Sequence, residues 1–251
     1  MLANNLTEKT DAIVESEFRN HPFETGISSE NFERVIREYL AMSMGFPYLQ
    51  AGSMARLFNY ALENGLDIER DVEITSVVGA FLTWDETGGH ATVQSKGNAG
   101  LPDILKTERF HSNLLREDIK TLTGKSLGPG FSQVTKNYLR KLGYGLSSID
   151  PVTRVAYMVA FEKHAGLMIE ALWESAAQLF KADKDDLVYF NTHVGGDDPA
   201  EEYHVRMTAR MIQEVISETD AGRFVDFFRE AYELNYEWCH LICETEEAIA
   251  A

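Results

Sequence analysis

Glu201 and His204 stand three residues apart, just behind the helix-start signal Asp198-Pro199. A carboxylate and an imidazole at i and i+3 share one face of a helix, and helix bundles use that pair to hold iron or manganese from the inside. The pair closes a run of sixteen residues, Tyr189-Phe-Asn-Thr-His193-Val-Gly-Gly-Asp197-Asp-Pro-Ala-Glu201-Glu-Tyr-His204, with a second histidine and further carboxylates. Glu201 also occupies the third position of a capping box, which alone accounts for a glutamate there. Carboxylates elsewhere, aimed at the same place, decide between a metal site and a capped surface helix.

Such carboxylates are sought inside apolar stripes, because an unpaired buried charge is costly or neutralises itself. Between residues 151 and 180, Val155, Met158, Val159, Ala165, Gly166, Ile169 and Trp173 share a face with Glu162 in its middle, while Lys163, Glu170 and Glu174 fall opposite. Between 71 and 86, Ile74, Val78 and Leu82 lead at four-residue steps to Glu86. His90 follows four later, beyond Gly88-Gly89, and shares that face if the helix continues or bulges there. In the last of these segments Glu201, His204, Met207, Met211 and Val215 form a stripe, with Glu202 and Arg206 elsewhere. A hydrogen-bonded core glutamate or histidine is the plain alternative at Glu162 and His204. Three inward carboxylates and two or three histidines on separate helices make a mixed oxygen and nitrogen ligand set. That set suits iron or manganese and not a thiolate-seeking metal.

The elements that must position these residues are helices. Capping and stop signals predict helices over 7–20, from Ser28-Ser29 to about Met44, from Tyr48 to Glu63 with Gly65 as stop, and from Asp71 to Glu86. Further helices are predicted over Asp103–Thr123, Phe131–Leu142, from Asp150-Pro151 to about Phe180, from Asp198-Pro199 to about Ile216, and over Arg223–Glu247. The last carries Phe224, Phe227, Phe228, Ala231, Leu234, Trp238 and Ile242 on a core stripe. No linker divides the chain. The fold class is therefore all-α, one domain over residues 1–251.

The 251 residues are 44% hydrophobic, enough for a sizeable core, and carry a net charge of −17 with a pI near 4.8. Such a balance argues against nucleic acid and anionic membrane surfaces as partners. No segment approaches the roughly 18 apolar residues of a membrane span. Cys239 and Cys243, one helical turn apart, make no disulfide framework, and with His240 they lack a fourth zinc ligand. With no signal peptide at the N-terminus, a reducing cytoplasm is the expected location.

The motifs Glu17-Phe18-Arg-Asn-His21-Pro22-Phe23, Asp85-Glu86-Thr-Gly-Gly-His90, Phe161-Glu162 and Tyr189-Phe190-Asn-Thr-His193 resemble the haem-oxygenase-like helical fold. The branch they are most similar to is the non-haem diiron oxidases and oxygenases related to the chlamydial protein CADD, relatives of the TenA and PqqC groups. The resemblance spans nearly the whole chain in helix order. It implies a single haem-oxygenase-like multi-helical bundle with Glu86, His90, Glu162, His193, Glu201 and His204 as metal ligands. His111 is the rival to His90. Asp197 is the rival to Glu201, because Gly195-Gly196-Asp197-Asp198-Pro199 breaks a helix that the family runs through, leaving His193 towards a loop.

The resemblance further implies two iron ions, with manganese as the alternative, and O2 as co-substrate. The metals do the redox chemistry while the protein fixes geometry and excludes water. An unidentified small molecule, or the chain's own side chains, would be oxidised. Tyr189, four before His193, is the catalytic candidate, with Tyr157 and Tyr203 as further neighbours and core packing as the plain alternative. A homodimer through an outer helix is compatible with the resemblance. The other readings are a haem site on His21, a TenA-type cysteine nucleophile, and a non-catalytic helical interaction module of the same fold. The cysteines, both in the last helix, disfavour the second of these.

Overall fold

The computed structural model describes residues 2–89, 105–195 and 200–244, without the side chains of Ala200, Glu201, Glu202 and Val205. Its α-helices are α1 (Leu2–Glu17), α2 (Pro22–Gly26), α3 (Phe32–Asn64), α4 (Arg70–Glu86), α5 (His111–Thr123), α6 (Gln133–Leu146), α7 (Pro151–Phe180), α8 (Val188–Val194), α9 (Ala200–Val215) and α10 (Ala221–Cys243). Among the described residues no strand occurs, and no helix is long and apolar enough to cross a membrane.

Local chemistry sets most of the ends. Asp150 accepts the Thr153 amide at 3.2 Å, and Pro151 fills the first helical position of α7. Ser132 caps α6 in the same way. Gly65 and Gly124 end α3 and α5 in the left-handed region, at φ 61° and 68°.

α3 corrects the expectation of two helices. It runs unbroken for 33 residues through Pro47. Proline has no N–H, so the Ser43 carbonyl loses its helical donor there. The helix continues because Phe46, Pro47 and Gln50 are all buried, and α3 packs on α4 and α6. Burial on either side outweighs one missing hydrogen bond. At the N-terminus α1 begins at Leu2 and stops at Glu17. His21 then opens the short α2 by accepting the Phe23 amide on Nδ1 at 3.2 Å.

α7 is the central post. It packs against α10 along its length and touches α2, α4, α6, α8 and α9. Val155, Met158, Val159, Ile169 and Trp173 are buried as the stripe requires, whereas Gly166 is exposed. On α10, Phe224, Phe228, Ala231, Trp238 and Ile242 are buried, and Trp238 stacks on Tyr138 of α6 with ring centroids 4.6 Å apart. Arg154, buried near the start of α7, pairs with Asp71 and donates to Thr75 at 2.9 Å, tying α7 to α4. His193 does not lie in a loop. It sits in the last turn of α8, a seven-residue helix too short to persist alone. The carboxylate of Asp118 on α5 accepts the amides of Val188 and Tyr189, each at 2.8 Å, and so caps α8 from a neighbouring helix.

Candidate metal centre

The last turn of α4 presents two consecutive carboxylates, Asp85 and Glu86, on either side of the line set by Val78 and Leu82. Each faces a different histidine. Glu86 Oε2 lies 3.4 Å from His111 Nδ1 and Glu86 Oε1 lies 4.0 Å from His193 Nε2. One donor atom from each of the three falls within 4.8 Å of the others, the spacing of ligands around one ion. Burial pushes the Glu86 carboxyl up, but His111 and His193 together hold it far below the usual carboxylate range.

Gly88 explains why His111 is there. Its φ is +74°, and a Cβ at this position would stand 2.5 Å from the Arg109 carbonyl oxygen. Only glycine lets the chain entering α5 press against the end of α4. His193 is aimed by its own helix. Its Nδ1 lies 2.8 Å from the Tyr189 carbonyl, which can only accept, so Nδ1 carries a proton and Nε2 is the nitrogen that faces Glu86. Metal-binding histidines are oriented by such a bond on the remote nitrogen.

The second group stands on α4, α7 and α9. His204 lies between two carboxylates, with Nδ1 3.0 Å from Glu162 Oε2 and Nε2 3.3 Å from Asp85 Oδ2. Phe81 packs edge-on against its ring at 5.6 Å. Asp85 is 2% exposed, so it meets His204 inside the bundle.

Glu86, Glu162, His193 and His204 all line one cavity of about 450 Å³, within the range of small-molecule sites. Tyr39 and Tyr189 line it too, with their hydroxyls 2.8 Å apart and the Tyr189 ring 4.3 Å from that of His193. Burial first, then Tyr189 and Glu86, push the Tyr39 phenol well above its ordinary value.

Of the ligands the sequence suggests, the structure brings Glu86, Glu162, His193 and His204 together. The side chain of Glu201 lies outside the described residues, as do His90 and Asp197. His111 fills the third place beside Glu86. Two of the proposed tyrosine neighbours lie elsewhere: Tyr157 points to Glu230 at a separate surface cleft, and Tyr203 is 51% exposed. Lys163, expected on the solvated face of α7, borders the cavity and pairs with Asp11 of α1. Sequence reasoning missed Asp85 and Asp118. Asp85 follows Leu82 by three and Val78 by seven, the same helical face, and that spacing is the signal that finds it. Asp118 lies seven after His111, but its partner α8 is 70 residues away and leaves no local trace.

Both cysteines are free and buried, and His240 turns outward to Glu244 at 3.2 Å, so the Cys239, His240, Cys243 clip is not assembled. Cys239 instead meets His21 and His164 in a second buried group. Here the proton placement is reversed. His21 Nδ1 accepts the Phe23 amide, which puts the proton of the neutral ring on Nε2. His21 therefore offers this group an N–H and not a lone pair. Burial lowers the His21 pKa to about 4 and that of His164 well below its ordinary value. Neutral imidazoles packed in the core account for these residues.

No family model matches the sequence, and no curated protein matches it. Likeness appears in three dimensions. Two crystal structures of a CADD-like protein of unknown function from Nostoc punctiforme superpose on the chain at 16% identity. One gives a TM-score of 0.66 over 96% of each chain, the other 0.64 over 99% of this chain and 96% of that one. The chain thus has the all-helical fold of the CADD-like proteins, the fold that its motifs resemble.

Proposed function

We propose that this chain is an oxidoreductase that uses two iron ions, with manganese as the alternative, to activate O2 against a small molecule held in the cavity. One observation carries the reading. Two sets of carboxylate and imidazole donors, Glu86 with His193 and Glu162 with His204, line one cavity, with His111 beside Glu86 and Asp85 beside His204. The donor chemistry fits: hard oxygens and borderline nitrogens, with no thiolate. Glu201, one turn before His204, is a further carboxylate for the second set. A pair of Fe(II) ions, when bound, supplies two electrons to O2.

The protein's own part follows from the geometry. Asp118 and the Tyr189 carbonyl fix the direction of His193. The carboxylates of Glu86, Glu162 and Asp85 would balance the charge of the cations they hold. The Tyr39 phenol, pushed up mainly by burial, stays protonated, and the Tyr189 hydroxyl 2.8 Å from it stands beside His193, which makes Tyr189 the candidate for proton donation or for oxidation of a side chain.

The test is anaerobic loading with Fe(II), followed by metal analysis and exposure to O2. About two irons per chain and an O2-dependent spectral change are expected, with binding lost in His193→Ala and His204→Ala. A chain that retains no metal, and whose thermal stability ignores Fe(II) and Co(II), overturns the proposal and favours a non-catalytic binding module.

A further inference from the structure

We infer that the cavity selects a neutral, largely apolar molecule bearing one hydroxyl group, and that Ser43 is the residue that reads it. The inference rests on taking the cavity as the site of reaction. Away from the metal donors its wall is apolar: Met42, Phe46, Phe161, Met168 and Ile169 line it, with the two phenylalanine rings stacked 3.9 Å apart at 12°. Among the described lining residues the cation, Lys163, is already held by Asp11, so it is not free to bind a carboxylate or phosphate. Glu170 is exposed at the cavity's edge and disfavours anions there.

Ser43 interrupts this wall. Its side chain is 5% exposed and its hydroxyl has no hydrogen-bond partner among the described residues. A serine within a helix ordinarily bonds the carbonyl one turn back. This one does not, and a buried hydroxyl left unpaired is costly. Its backbone is unusual as well, because Pro47, four residues on, has no N–H for the Ser43 carbonyl. Ser43 therefore brings an unpartnered buried hydroxyl into an apolar wall. A ligand hydroxyl can donate to or accept from it, and so complements it. Ala165 and Gly166 leave α7 nearly bare beside the cavity, and Gly166 is exposed, which gives such a molecule a way in.

The probes are 4-butylphenol and butylbenzene, alike except for the hydroxyl. Their binding to the full chain is measured by calorimetry, without metal, for wild type and Ser43→Ala. The phenol is expected to bind wild type about fivefold tighter, and Ser43→Ala is expected to erase that preference while still binding butylbenzene. Equal binding of the two probes, a preference that survives Ser43→Ala, or no binding of the phenol overturns the inference. Co(II) absorbance titrations on both proteins separate the two readings. Intact Co(II) binding without a phenol preference removes the role of Ser43 alone. A phenol preference without Co(II) binding removes the metal reading alone.

Discussion

Replacing His21 with asparagine should flatten the acid limb of the stability curve. His21 is 6% exposed, caps α2 through Nδ1 and packs against His164 with ring centroids 5.1 Å apart. Its pKa falls from 6.5 in the unfolded chain to about 4 in the folded one. Between those values the unfolded state binds the extra proton and the folded state does not. Stability is therefore fully present above pH 6.5, is lost as pH falls through the window, and levels off below about 4. At about 1.4 kcal/mol per pH unit, His21 accounts for a loss of about 3 kcal/mol. Asparagine places an acceptor where Nδ1 stood and is itself a good N-cap, yet it cannot take up a proton.

The assay is urea unfolding followed by circular dichroism at pH 7, 6, 5 and 4. The wild type should lose about 3 kcal/mol more than His21→Asn between pH 7 and 4. His164 pulls in the same direction as His21. Asp118, raised to about 6 mainly by burial, pulls in the opposite direction, because folded Asp118 binds the extra proton between 3.8 and about 6. Asp118 and the burial-driven part of the His164 shift remain in the variant and cancel in the difference; the part of the His164 shift that His21 causes is removed with it and adds to the gap in the same direction. A gap between the two proteins that stays constant with pH refutes the reasoning. It would mean that His21 matters only as a cap and a packing group.

Asp118→Ala removes the acceptor of two backbone N–H groups at the start of α8. It should cost about 1.5–3 kcal/mol in urea unfolding at pH 7.5 and weaken Co(II) binding about tenfold or more, with Asp118→Asn in between; unchanged Co(II) affinity counts against its role in holding His193. Gly88→Ala combines a positive φ with a Cβ against the Arg109 carbonyl. It should destabilise by about 2 kcal/mol and lower Co(II) affinity by displacing His111, and an affinity equal to wild type would detach His111 from the site. Arg154→Ala strands Asp71 beside the core, so thermal unfolding should report a loss of about 3–5 kcal/mol with metal affinity unaltered; a loss below about 1 kcal/mol would show that the pair is not needed.

The parts of the fold that follow from neighbours in sequence are legible in it. Asp150-Pro151 marks the start of α7, and Gly65 and Gly124 mark helix ends, because caps act within four residues. Glu162, Glu86 and His204 stand out because a charge inside an apolar stripe conflicts with burial. What escapes is whatever distant packing decides. Pro47 reads as a break, yet α3 continues because Phe46, Pro47 and Gln50 are buried where it packs on α4 and α6. Asp85 is hidden by Glu86 beside it, since a stripe drawn at four-residue steps passes through one of them and misses the other. His111 meets Glu86 across a segment for which the local signal is Gly88 alone, and that glycine reads equally well as a simple helix stop.

His193 and His21 show why residue type and spacing stop short of chemistry. Both are buried, both lie beside a short helix, and both stand in groups whose donor atoms are close enough for one ion. Their remote partners differ in kind. The Tyr189 carbonyl accepts from His193 Nδ1, so the nitrogen turned inward to Glu86 is Nε2, which in the neutral ring holds the lone pair that a cation can use. The Phe23 amide donates to His21 Nδ1, so what turns inward is a proton, and a cation would meet an N–H. The two partners are backbone groups that every residue carries, which is why no sequence pattern distinguishes them. It is the direction of one hydrogen bond, set by where each helix begins and ends, that leaves His193 able to hold a cation and makes His21 a cap.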